Sequence, residues 1–158
     1  LQSVDSDLPL LMNKLLTEYN IPADSVNLEI TESVAITSGY MLKKNMDELK
    51  KMGCSFSMDD FGTGYSNLSQ IVKTEFEVIK IDKSLLWPCF DEKNKSLQNA
   101  KMLLETLIEL MLKFGYEIVV EGIETQEQFE YLKKQGITFA QGYYFSKPLC
   151  ENDFIEFL

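Results

Sequence analysis

Five short apolar runs alternate along this chain with stretches of helical periodicity, and that alternation narrows the fold more than anything else in the sequence. The runs cover 26–30, 54–58, 78–81, 118–120 and 137–140. Between them, apolar residues recur at helical spacing over 8–19, 39–52, 97–114 and 126–135, with a shorter candidate over 67–73 and a closing segment over 151–158. Pro9 fits the first turn of the first helix, with Asp5, Ser6 or Asp7 as a cap, and Gly53, Gly115 and Gly136 each stand where a helix has to stop. Strands that alternate with helices in this way build parallel βαβ units with right-handed crossovers.

Each run also delivers a polar group to its carboxyl end. The first carries Glu29 with Glu32 beyond it, the second runs into Asp59 and Asp60, and the third holds Lys80 and Asp82. The fourth ends at Glu121 with Glu124 following, and the fifth at Gln141. That rim is where parallel α/β folds place their active sites. A parallel sheet is expected to be covered on both faces, so acids and a lysine at its strand ends need a metal or one another as partners.

Composition restricts the chemistry. With 15 Lys and Arg against 25 Asp and Glu, the net charge is −10, which disfavours direct binding to duplex nucleic acid. Histidine is absent, which excludes Ser-His and Cys-His nucleophilic pairs and the commonest zinc ligands. Hydrolysis on this chain therefore has to rely on carboxylates, lysine and hard cations. Cys54, Cys89 and Cys150 form no C-x-x-C pair and are expected to be free thiols in a reducing cytoplasm, assigned with Trp87 to packing. No apolar run is long enough to span a membrane, so this segment is expected to make no membrane contact.

The stretches 28–33 (LEITES), 59–66 (DDFGTGYS), 79–84 (IKIDKS), 120–125 (VEGIET) and 141–149 (QGYYFSKPL) together resemble the EAL domains, metal-dependent cyclic-di-GMP phosphodiesterases on a TIM-barrel scaffold. The resemblance covers nearly the whole chain. It implies that Glu29 binds the first metal, that Asp59 bridges two metals and that Asp60 completes the second, the ions being Mg²⁺ or Mn²⁺. Lys80 would orient the attacking water, and Glu121 would be the general base or a water-mediated ligand. Glu124, Gln141 and Asp82 would support the metals and the substrate, and Glu32 would anchor the loop from Asp60 to Leu68.

The family's Glu-Ala-Leu motif and the Asn-Leu-Ser motif of its next metal-binding strand are both expected upstream of residue 1 and are not found at such a place, the Asn67-Leu68-Ser69 of this chain lying after the second run instead; Thr74-Glu75-Phe76 stands where a Leu-Pro is usual before the lysine strand. A closed (β/α)₈ barrel takes ~250 residues, so residues 1–158 are expected to form part of an EAL domain: an incomplete TIM barrel of about five parallel strands. The exposed sheet edge would then favour a homodimer. The leading expectation is a cytoplasmic enzyme that hydrolyses cyclic-di-GMP to pGpG, with this piece alone nearly inactive. The alternative is a non-catalytic cyclic-di-GMP sensor or dimerisation module.

Overall fold

The computed structural model describes residues 7–63, residue 71 and residues 74–158. Helix α1 (Leu8–Glu18) starts with Pro9 in its first turn and turns Leu8, Met12 and Leu16 inward, while Leu11, Leu15 and Tyr19 stay exposed. After a 3₁₀ turn (Ala23–Ser25), β1 (Asn27–Thr31) leads directly into the short α2 (Glu32–Thr37) and then α3 (Gly39–Met52). Gly53 ends α3 in the left-handed conformation that its missing side chain allows. Strand β2 (Ser55–Phe61) follows, then β3 (Val78–Ile81), α4 (Lys83–Leu86) with a 3₁₀ turn (Trp87–Cys89), and α5 (Leu97–Lys113). The chain closes with β4 (Glu117–Val120), α6 (Gln126–Lys134), β5 (Phe139–Ala140) and α7 (Glu151–Phe157).

The strands form one parallel sheet in the order β1-β2-β3-β4-β5, the α/β pattern expected of a portion of a TIM barrel. Strand limits differ from expectation. β2 runs to Phe61 rather than Met58, and β5 is reduced to two residues. The helix α2 was not expected at all, and the short helix expected over 67–73 lies outside the described residues apart from Ile71.

The two faces of the sheet differ in kind. Ile30, Phe56, Met58, Ile79, Ile81, Ile118 and Val120 are buried and belong to the core shared with Leu42, Met46 and Leu49 of α3 and Leu104, Ile108 and Met111 of α5. Because side chains alternate along a strand, the intervening residues occupy the opposite face. Those are Asn27, Glu29, Thr31, Ser55, Ser57, Asp59, Val78, Lys80, Glu117 and Val119, and all but the two valines are polar. Toward the start of the strands Asn27 donates to Ser55 Oγ at 2.8 Å and accepts from the Ser57 hydroxyl.

One irregularity shapes the rim. The β2–β3 register shifts between Met58 and Phe61, and Asp60 within that bulge adopts φ 57°, a left-handed conformation that aspartate tolerates better than most residues. A bulge spends one extra residue on one strand and re-aims the side chains beside it.

Candidate active site

Lys80 is the hub of the polar face. It leaves the centre of β3 between Ile79 and Ile81, both fully buried, and is itself only 8% exposed. Its ammonium reaches Glu121 Oε1 at 2.8 Å, Glu29 Oε1 at 2.9 Å and Asp59 Oδ1 at 3.0 Å. Burial alone would make the charged form less stable. The ion pairs with Glu121, Glu29 and Asp59 outweigh it and raise the Lys80 pKa above its ordinary value. The contribution of this ammonium to stability is thus fully present below the ordinary lysine pKa and is lost only as pH rises through the higher folded value.

The carboxylates arrive from separate strands. Glu29 lies mid-β1 and is half exposed. Asp59 closes the regular part of β2, and Glu121 follows β4 with its N–H donating to the Ile81 carbonyl at 2.9 Å; their side chains are 22% and 19% exposed. The bulge brings Asp60 to the same side as Asp59, although neighbours in a regular strand point to opposite faces. One carboxylate oxygen from each of Asp59, Asp60 and Glu121 lies within 4.8 Å of the others. Burial first, and then the charges of Asp59 and Asp82, push the Asp60 pKa above its ordinary value.

This donor set fits a hard divalent cation. All three groups offer anionic oxygen with no histidine or thiolate among them. Asp59 Oδ1 is buried and forms no aligned hydrogen bond, its close neighbour being the Lys80 ammonium. The raised pKa of Asp60, set first by burial and then by the charges of Asp59 and Asp82, marks a carboxylate whose charged form a cation would stabilise.

The other expected site residues lie apart from this cluster. Glu32, buried at the start of α2, accepts the Gly62 N–H on Oε2 at 3.2 Å, so it grips the described part of the segment after β2; the remainder, 64–68, lies outside the described residues. Asp82 caps α4 by accepting the Ser84 N–H at 2.8 Å and reaches the cluster through its charge on Asp60. Glu124 and Gln141 are exposed, and among the described residues neither side chain bonds to the cluster. Gln141 acts instead through its backbone: its N–H donates to the Val120 carbonyl, and its carbonyl accepts from Ile123.

Some roles escaped sequence reasoning. Trp87, assigned to packing, is exposed on one side and donates its indole N–H to the Gly122 carbonyl at 2.8 Å. Its setting between a short helix and a Pro-Cys turn offered no periodic signal. Cys54 and Cys89 are buried as expected, whereas Cys150 is exposed.

The EAL domain family profile matches residues 2–148. The cyclic di-GMP phosphodiesterase RocR of Pseudomonas aeruginosa is 36% identical over 146 residues, which cover 92% of this chain and 36% of RocR. Among solved structures, the EAL enzyme Bd1971 bound to cAMP and cyclic-di-GMP superimposes with a TM-score of 0.89 at 28% identity, over 98% of this chain and 40% of that one. The manganese/cy-diGMP complex of Klebsiella pneumoniae BlrP1 gives a TM-score of 0.75 at 30% identity, over 88% of this chain and 34% of that one. The chain thus spans well under half the length of each.

Proposed function

Because this chain belongs to the EAL domain family, we propose that it is part of a metal-dependent phosphodiesterase domain that hydrolyses cyclic-di-GMP to linear pGpG. The observation that carries this reading is the convergence of Glu29, Asp59, Asp60 and Glu121 around Lys80 on one face of four adjacent parallel strands. That RocR is a cyclic di-GMP phosphodiesterase, and that BlrP1 forms a manganese/cy-diGMP complex, supports the choice of substrate and cation.

Asp59 and Asp60, with Glu29 from the neighbouring strand, would hold divalent cations, Mg²⁺ or Mn²⁺. Such ions supply charge neutralisation of the phosphodiester and water of lowered pKa. Lys80 orients the attacking water and adds a fixed positive charge that remains protonated at neutral pH. Glu121 takes the proton of that water as the new O–P bond forms, and the departing ribose oxygen takes a proton from solvent as its P–O bond breaks, Glu121 later returning its own to solvent. Glu32 steadies the segment after β2 through Gly62. Glu124, Gln141 and Asp82 act from the margin of the cluster on the substrate side.

Among the described residues no strand pairs with the outer edges of β1 and β5, which is the reason to include a homodimer in this reading, checked by light scattering of the purified protein. No helix among the described residues is long and apolar enough to cross a membrane, and a cytoplasmic site of action belongs to the same proposal. The deciding experiment incubates the full-length protein with cyclic-di-GMP in Mg²⁺ or Mn²⁺ and follows pGpG by chromatography. Release of pGpG that EDTA abolishes supports the enzyme, and tight binding with no release would replace it with the sensor. The 158-residue piece alone is expected to release little.

A further inference from the structure

Trp87 is the single tryptophan of the chain, and it remains 40% exposed, so burial of the ring does not account for its position. Its polar edge is what faces inward, donating to the Gly122 carbonyl from 35 residues away in sequence. Lys83, one turn earlier on α4, holds its ammonium 4.8 Å from the centre of the indole ring, a cation–π contact that restrains the ring from the other side. The indole is therefore aimed.

Its target adjoins the site. Gly122 directly follows Glu121 and has φ 72°, and a Cβ placed on it would lie 2.4 Å from the Lys83 Cβ. The backbone leaving β4 thus runs hard against the first turn of α4. Upstream, the Glu121 N–H is fixed to the Ile81 carbonyl. Downstream, the Trp87 bond fixes the carbonyl of a glycine whose conformational range is otherwise the widest of any residue. Glu121 is pinned on both sides.

We propose that Trp87 is a positioning residue for Glu121: by holding the Gly122 carbonyl it sets the backbone from which Glu121 reaches Lys80, Asp59 and Asp60. It touches no reacting group. Its consequence for turnover rests on the phosphodiesterase reading, whereas its mechanical coupling to Glu121 does not.

Two variants of the full-length protein test the catalytic consequence. Trp87→Phe keeps an aromatic ring and deletes the donor. Replacing Trp87 with benzothienylalanine keeps the bicyclic outline and exchanges N–H for sulfur. Both should lower kcat by about tenfold with KM within about twofold, since the base is misplaced while substrate contacts persist. A benzothienylalanine variant with the kcat of the wild type overturns the proposal, even if Trp87→Phe folds poorly.

If the wild type releases no pGpG, the phosphodiesterase reading fails and a second measurement decides the coupling. The 158-residue chain has one indole N–H resonance, and coupling between two groups is reciprocal. Glu121→Gln should therefore speed exchange of that proton with water several-fold. Glu117→Gln, at the opposite end of β4, should leave it unchanged. Equal exchange in the wild type and Glu121→Gln overturns the proposal.

Discussion

The two faces of this sheet are made by the same strands and obey different rules. On one, Ile79, Ile81, Ile118 and Val120 pack against α3 and α5 with almost no exposure, and each contributes through area withdrawn from water. On the other, Lys80 meets three carboxylates within 3.0 Å, and each group depends on the charge of its neighbours. Substitutions on the apolar face should therefore change how much protein is folded, and those on the polar face should change what the folded protein does.

The largest departure is expected at Asp59 in the full-length protein. Asp59→Asn removes the carboxylate whose buried oxygen lacks an aligned hydrogen bond, and should lower pGpG release by about 10³-fold or more. Isothermal titration with Mn²⁺ should show the site lost while the melting curve is kept. A variant that melts early would show that this face, too, is structural.

Ile79→Ala probes the opposite face. It should cost about 3 kcal/mol of stability, the usual penalty for truncating a fully buried aliphatic side chain, measured by urea denaturation. Turnover per folded molecule should stay near that of the wild type, and a loss of activity beyond the unfolded fraction would break the division between the faces.

Next in size is Glu121→Gln, which preserves shape and hydrogen-bonding capacity but removes the base. It should lower kcat by roughly 10²-fold with cyclic-di-GMP affinity largely retained. Normal turnover with metal still bound would move the proton-accepting role away from Glu121.

The smallest effect has the opposite sign. The Asp60 carboxyl has a raised folded pKa, so between the unfolded and folded values the native state binds more protons and stability falls as pH rises. At pH 7 without metal the ionised Asp60 is thus a liability, and it also occupies a left-handed backbone position that asparagine adopts readily. Asp60→Asn should raise Tm by about 2 °C at pH 7 in EDTA. The gain should vanish below the unfolded carboxylate pKa, where the wild-type group is protonated in both states. A fall in Tm would show that Asp60 is already charge-compensated.

Much of this organisation was legible from the residues themselves. The periodicity of 39–52 and 97–114 and the glycines that end those segments located α3 and α5 almost to the residue, because stripe and stop signal agree there. Glu29, Asp59, Lys80 and Glu121 could be read as one constellation because each falls in the carboxyl half of one of the expected apolar runs or directly after it. The polar face was less visible: Ser55 and Ser57 alternate with Phe56 and Met58 as in a strand, but nothing local in the sequence joins them to Asn27 across the neighbouring strand. Glu124 and Gln141 were singled out by their places after the fourth and fifth runs and by family resemblance, and their side chains are exposed. The indole bond of Trp87 joins residues 35 apart, a distance at which local pattern carries no information.

The shifted register of β2 has a consequence for how this segment tolerates length change. Up to Met58 the even-numbered residues enter the core, yet Phe61, an odd-numbered one, is 1% exposed. The extra residue resets the count. Losing Asp60 alone would shorten the strand to an unbroken alternation in which the following Phe stands next to Asp59 and still points inward, so the hydrophobic packing could survive an in-frame deletion of one codon. The acid pair could not. At this point of the chain, activity and foldability are encoded by separable letters, and a lineage could discard the first in a single step while keeping the second.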